Sequence, residues 1–283
     1  MLPRVASVAV AEIRRFVVAA VQLNASSDKQ QNLDKAEGFI REAARAGARL
    51  VVLPEVFFWR GLPEQERDAA EPIPGPAVTR MGRLARDLGI YLLAGSILEQ
   101  ADARLPFNTS VLLDPAGEVV ARYRKIHLFD VHVRGRVEIQ ESARRSAGND
   151  VVVACTPLGN LGIAICYDLR FPELFRAQAA KGAEIILLPS AFTFVTGAAH
   201  WEPLVRARAI ENQVYLVAPN QIGRGEGGVE NYGHSCVVDP WGVLLAQARD
   251  QECVVYAEVD HDYLESVRRQ LPALRHRRLR DEA

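Results

Sequence analysis

Three polar residues stand where apolar runs end. Glu55 follows Leu50-Val-Val-Leu-Pro, Lys125 follows Val119-Val-Ala-Arg-Tyr-Arg, and Cys166 follows Gly162-Ile-Ala-Ile. In α/β proteins the ends of sheet strands are where ligand crevices form. Taken singly, each residue has a plain alternative. A cysteine ending a strand is more often a small core hydrophobe than a nucleophile, and a lone Glu or Lys there is more often solvated or ion-paired. The company of Cys166 shifts that balance, because Tyr167-Asp168-Leu169-Arg170-Phe171-Pro172-Glu173 puts charge and a helix start directly behind a thiol. A helix N-terminus and a nearby cation lower a thiol's pKa and favour the thiolate. Attack on an amide also needs a base, to take the thiol proton and return it to the leaving amine, and a positive donor where the carbonyl oxygen becomes an oxyanion. Glu55 and Lys125 are the residue types for those two tasks.

The elements that must hold these residues alternate between strands and helices. Residues 16–23 form an apolar run. Residues 28–47 place Leu33, Ala36, Ile40 and Ala43 on one helical face, and 50–53 is a second strand. Val78, Met81, Leu84 and Leu88 mark a helix stopped by Gly89, and 90–98 reads as a third strand. This βαβαβ rhythm predicts helices packed on a sheet with buried strands. Hairpins then follow, one around Asp114-Pro-Ala-Gly and one around Pro157-Leu-Gly-Asn. Pro172 is preorganised for a helix's first turn. Later strands are expected over 184–188, 214–218, 232–238, 243–246 and 253–259, with helices over 200–213 and 262–270. Neither linker nor repeat interrupts the series, so it reads as one domain with two sheet layers between helices.

The bulk numbers exclude several classes. A chain of 283 residues, 49% hydrophobic and 24% charged, can bury a large core. Its formal net charge of −1 with dispersed Lys and Arg supplies no basic stripe for nucleic acid, and the Arg-rich stretch 268–280 alternates with Leu, Pro and His. Cys155, Cys166, Cys236 and Cys253 are unpaired in spacing, which fits reduced thiols and a cytoplasmic setting. No apolar run approaches the roughly 18 residues of a membrane span. Residues 1–15 are expected to be a disordered extension and 16–283 a single domain.

The motifs carry a resemblance as well as a chemistry. Leu53-Pro-Glu55, Tyr123-Arg-Lys125-Ile-His-Leu-Phe129 and Gly162-Ile-Ala-Ile-Cys166-Tyr-Asp-Leu-Arg-Phe-Pro-Glu173 resemble, in order, the three signature blocks of the nitrilase (carbon–nitrogen hydrolase) superfamily. The likeness continues through Pro189-Ser-Ala-Phe192, Thr196-Gly-Ala-Ala-His-Trp201, Arg206-Ala-Arg-Ala-Ile-Glu211-Asn and Gly233-His-Ser-Cys-Val-Val-Asp-Pro-Trp-Gly242. The resemblance implies an α/β fold, a four-layer αββα sandwich with mixed sheets, working as a homodimer or higher homo-oligomer without a cofactor or metal. It implies Cys166 as nucleophile, Glu55 as general base and acid, Lys125 as the charge on the tetrahedral intermediate, and the Tyr167 backbone N–H as second oxyanion donor. A fourth family position, a glutamate that orients the lysine, falls on Glu141, with Glu138 competing.

Within the superfamily the blocks look most like the branch of omega-amidases and deaminated-glutathione amidases. Their substrates share a 2-oxoglutaramate group, so a small 2-oxo-acid amide is the expected substrate. Arg170, Thr193 and Thr196 are candidates for its carboxylate; Arg170 also has a structural alternative, pairing with Glu173. The same three catalytic residues would serve N-carbamoyl amine hydrolysis, the runner-up, ahead of a nitrilase or a non-catalytic interaction protein. His127, Asp130 and His132 lack a second cluster for metal. His200 and Trp201 read as packing and capping residues at a helix start, and Gly223-Arg-Gly-Glu-Gly-Gly228 as a flexible loop.

Overall fold

The computed structural model describes residues 13–102, 105–135 and 137–279. Its first half runs β1 (Arg15–Gln22), α1 (Lys29–Arg45), β2 (Ala48–Val52), the single-turn α2 (Glu66–Ala69), α3 (Pro76–Leu88), β3 (Tyr91–Leu93), β4 (Ile97–Glu99), β5 (Phe107–Leu113) and β6 (Val119–Arg124). A hairpin of β7 (Asp130–Val133) and β8 (Val137–Gln140) leads to β9 (Val153–Thr156), β10 (Gly159–Ile163), α4 (Pro172–Ala180), β11 (Ile185–Leu187), α5 (Phe194–Asn212) and β12 (Tyr215–Ala218). The chain closes with the hairpin β13 (Ile222–Arg224) and β14 (Glu230–Tyr232), then β15 (Cys236–Val238), β16 (Leu244–Gln247), β17 (Cys253–Asp260) and α6 (His261–Gln270).

Among the described residues two large sheets form. The first has seven strands in the order β17-β1-β2-β3-β5-β4, with β6 on the other side of β5; the second has six in the order β16-β15-β12-β11-β10-β9. Both are mixed, with parallel pairs at the centre and antiparallel pairs outside. The period-2 alternation of each strand decides the layering. In β1, Val18 and Ala20 face a cluster shared with Ile163 and Ile186 of the second sheet, while Ala19 and Val21 face Leu33, Ile40 and Met81 of α1 and α3. Trp201 and Val205 of α5, with Phe175 of α4, cover the second sheet. The result is the four-layer αββα sandwich.

Helix ends follow local chemistry. The Asp28 side chain accepts from the Gln31 N–H at 3.0 Å to cap α1. Pro76 opens α3, and Gly89, left-handed at φ +63°, closes it.

Several expectations change. The strand expected over 90–98 is broken at Ala94-Gly95-Ser96, although β3 and β4 pair along the same edge of β5. The break lets the chain after β2 pass: a Cβ on Gly95 would lie 2.0 Å from the Pro54 carbonyl oxygen. The run 232–238 is likewise two strands, divided at Gly233 and His234, both at positive φ. Helix α5 starts at Phe194, six residues before the expected start, so His200 and Trp201 lie inside it rather than capping it. The stretch 223–228 is not a free loop but the turn of β13–β14, tied by Gly225 N–H to the Val229 carbonyl at 3.1 Å. Residues 13–15, expected in the extension, belong to the fold instead, because Arg15 opens β1 and Ile13 N–H bonds the Pro157 carbonyl at 2.9 Å. Residues 1–12 lie outside the described residues.

Candidate active site

Cys166 sits at a sharp turn from β10 into a 3-10 segment, Cys166–Arg170. Its φ of +48° is a left-handed conformation that a non-glycine residue adopts only when its surroundings impose it. The surroundings here are explicit. Cys166 N–H donates to the Pro189 carbonyl at 2.9 Å, and the Asp168 carboxylate accepts from Ile165 N–H at 2.8 Å, Tyr123 O–H at 2.6 Å and His127 N–H at 3.1 Å. Asp168 is fully buried, so these bonds replace the water it has lost. It thereby ties the cysteine turn to the end of β6, which delivers Lys125.

Glu55 reaches the same place from the turn after β2. The residue after it, Val56, also has φ +48°, rare for a β-branched side chain, and its N–H is held by Ser96 Oγ at 2.9 Å. Oε1 of Glu55 accepts from Lys125 Nζ at 3.0 Å and Asn108 Nδ2 at 2.7 Å; Oε2 accepts from Ala191 N–H at 2.8 Å. Lys125 Nζ turns its other side to Glu141 Oε2 at 2.9 Å. Glu141 follows β8, and it also accepts from Phe129 N–H at 2.7 Å and Arg145 Nη1 at 2.6 Å. Arg145 in turn grips Glu66 of α2 with two bonds, at 2.8 and 2.9 Å. Lys125, Glu55, Glu141 and Glu66 are all buried, so charge alternates through a chain closed off from bulk water.

This alternation sets the protonation states. Burial works against the Lys125 ammonium, but Glu141 and then Glu55 outweigh it and hold its pKa above the ordinary value. Burial also opposes the Glu141 carboxylate, and Lys125 with Arg145 hold its pKa below the usual range. Cys166 goes the other way from the sequence-based expectation. Burial, and then the charge of Glu55, push the thiol well above its ordinary value, and Lys125 only partly offsets them. The resting sulfur is therefore a thiol, and its proton must leave at the moment of attack.

A cavity of about 230 Å³ opens onto Glu55, Lys125, Glu141, Cys166 and Thr193. That is below the roughly 300–1,000 Å³ typical of sites for drug-sized ligands, so it suits a compact metabolite. A small annex beside Cys166 is lined by Tyr167, Phe192, Thr193 and Thr196. The Tyr167 N–H lies in the first turn of its 3-10 segment, where such groups have no intrahelical acceptor. Thr193 and Thr196 share a hydrogen bond of 2.9 Å. Arg170 is outside both linings; its guanidinium lies over Phe192, 5.0 Å from the centroid, and meets His200 Nδ1 at 3.2 Å. Glu138 lines only the rim, with an exposed side chain.

The other flagged residues separate. His127 bonds Asp168 at 2.7 Å and stacks on Phe171, His132 is exposed beside Glu138, and Asp130 accepts from Ser142 N–H. Trp201 is buried and donates to the His234 carbonyl at 2.9 Å. Sequence reasoning did not single out Asn108, Asp168, Arg145, Glu66 or Arg60. Arg145 had a legible signal, since it stands four residues beyond Glu141.

With this geometry in view, comparison with known proteins places the chain. The carbon-nitrogen hydrolase family model matches residues 17–269. The chain belongs to the carbon-nitrogen hydrolase family. It is 41% identical over 263 residues to omega-amidase NIT2 of Homo sapiens, covering 93% of this chain and 95% of that protein. It is 44% identical over 268 residues to deaminated glutathione amidase of Bos taurus, covering 93% and 82%. The crystal structure of the C. elegans NitFhit protein superposes with a TM-score of 0.89 at 39% identity, over 95% of this chain and 66% of that one. This carbon-nitrogen hydrolase is therefore an amidase-type enzyme on the nitrilase fold.

Proposed function

We propose that this carbon-nitrogen hydrolase cleaves the amide bond of a small 2-oxo-acid amide through a thioester on Cys166. The observation that carries the mechanism is Lys125 Nζ, held 3.0 Å from Glu55 and 2.9 Å from Glu141 in the wall of the cavity that exposes Cys166. Glu55 takes the thiol proton as sulfur attacks the amide carbon, and the carbonyl oxygen becomes an oxyanion facing Lys125 and the Tyr167 N–H. Glu55 then passes the proton to the nitrogen, the C–N bond breaks, and the amine or ammonia leaves. A water deprotonated by Glu55 attacks the thioester, the C–S bond breaks, Glu55 returns that proton to the Cys166 sulfur, and the acid departs. Glu141 acts by holding Lys125. Because the thiol is neutral at rest, the base is indispensable to the first step.

The substrate class rests on the relatives named omega-amidase and deaminated glutathione amidase, together with the cavity's size. A reducing, cytoplasmic setting is part of the proposal, since Cys166 must stay a thiol. So is a homodimer, for which Phe194 and Ile210 on α5, with Trp241 and Val243, offer exposed apolar side chains. Among the described residues no helix is long and apolar enough to cross a membrane. The test is a panel of 2-oxoglutaramate, deaminated glutathione, simple omega-amides and N-carbamoyl amines, followed by ammonia and amine release. Turnover of the first two supports the reading; turnover of N-carbamoyl amines alone overturns it.

A further inference from the structure

The cations lining the cavity are not equally matched. Lys125 lies between Glu55 and Glu141, and Arg145 and Arg144 both reach Glu66, at 2.8 and 3.0 Å. Arg60, from the turn that follows Glu55, lines the same cavity without a carboxylate partner among the described residues. Its Nη1 donates to Asn24 Oδ1 at 3.0 Å, and its Nη2 to the Val229 carbonyl at 2.7 Å and the Gly223 carbonyl at 3.4 Å. All three acceptors are neutral. A guanidinium carries five N–H groups in a fixed fork, so two remain for a ligand. Burial lowers this guanidinium's pKa to about 10, with the charge of Glu55 opposing the shift, so it is a desolvated cation still charged at neutral pH.

The backbone around Arg60 is built to hold it there. The β13–β14 turn closes over the guanidinium so tightly that a Cβ on Gly225 would come within 2.7 Å of Nε and 2.8 Å of Cζ. That turn is itself fastened to the first half of the chain by Ser27 N–H on Glu226 at 3.2 Å. Gly225 thus lets the backbone close directly on the cation. A planar, immobilised guanidinium that lines a substrate cavity, with no carboxylate bonded to it among the described residues and N–H groups to spare, matches a carboxylate best.

We propose that Arg60 anchors the substrate's carboxylate at the end of the cavity away from the scissile amide, and so selects acid amides over neutral ones. The role rests on the acid-amide reading of the site. It replaces Arg170, which contacts aromatic rings and His200 outside the cavity lining.

The test reads binding separately from turnover. Cys166 is alkylated with iodoacetamide at increasing 2-oxoglutarate, in the parent, Arg60→Gln, Arg60→Lys and Arg144→Gln, and KM and kcat for 2-oxoglutaramate are measured alongside. We expect the half-protecting concentration and KM to rise about 10- to 100-fold in Arg60→Gln, the scale of one charge-assisted contact. A ligand-free alkylation rate matching the parent's shows that the site is folded; if it does not match, Arg60→Lys decides. A rise of threefold or more there supports the anchor, because the lysine keeps charge but loses the fork, and an unchanged value overturns it. If the parent is protected and consumes 2-oxoglutaramate while Arg60→Gln behaves like it, the anchor fails and the acid-amide reading stands. A shift in Arg144→Gln without one in Arg60→Gln moves the anchor to Arg144 and overturns the proposal. If the parent is neither protected nor active on 2-oxoglutaramate, the acid-amide reading fails, and the anchor with it.

Discussion

Replacing Glu141 by glutamine keeps its size and removes its charge, which isolates what the buried chain of charges does. Glu55, Glu141 and Glu66 balance Lys125, Arg145 and Arg144, three against three. The variant leaves one positive charge in excess. If the amide oxygen faces Lys125 and Phe129 N–H, its NH₂ meets Arg145 Nη1, which now sits 2.6 Å from the carboxylate; the opposite flip strands Lys125 instead. Either way a buried charged donor loses its acceptor, at about 3–5 kcal/mol. Arg145 keeps Glu66 and Lys125 keeps Glu55, so the lower end applies, a Tm drop of roughly 6–12 °C. Lys125 would then lean on Glu55 alone, weakening the base and leaving the oxyanion charge unaimed, so kcat falls about 10²-fold with KM changing less. The sign with pH follows. Glu141's pKa is depressed in the fold, so its stabilisation is complete above its ordinary value, about 4.3, and is lost as pH falls through the lower folded value. The parent should lose Tm on acidification more steeply than Glu141→Gln. Calorimetry against pH, with steady-state ammonia release, checks both. A folded variant within tenfold of the parent's kcat, or a larger loss from Glu138→Gln, would refute the reasoning.

Two further outcomes follow from the same geometry. Alkylation of Cys166 should rise through alkaline pH above the ordinary thiol range, and in Glu55→Gln the midpoint should move down, because that carboxylate's charge helps hold the thiol protonated; a midpoint below neutrality in the parent would contradict this. Gly95→Ala should displace the Leu53-Pro54-Glu55 turn from 2.0 Å overlap, costing about 1–3 kcal/mol or more and reducing kcat, and a Tm within about 2 °C of the parent, the lower limit of that scale, would show that the turn yields freely.

The sequence made Glu55, Lys125 and Cys166 legible because each is a polar residue that stops an apolar strand. Strand order then puts three distant strand ends on one rim. Glu141 was accessible only through resemblance, since its burial depends on Arg145 and on a β7–β8 hairpin whose short alternation gave little signal. The direction of the Cys166 shift was misread because a helix start and a cation are visible in sequence, whereas desolvation is a tertiary quantity. The strand over 90–98 looked continuous for a similar reason: what breaks it is the Pro54 carbonyl, forty residues away. Arg60 stayed invisible because what marks it is that no carboxylate among the described residues bonds it, and that a glycine turn 165 residues later closes on it.

The thioester is the claim on which the rest depends. Intact-protein mass spectrometry of reactions stopped soon after mixing with 2-oxoglutaramate, and separately with deaminated glutathione, tests it most directly. Two amides that share an acyl group must leave the same 2-oxoglutaryl mass on Cys166 whichever amine departs, and Cys166→Ala must carry none and turn over neither. Different adducts from the two amides, or full turnover by Cys166→Ala, would contradict the account.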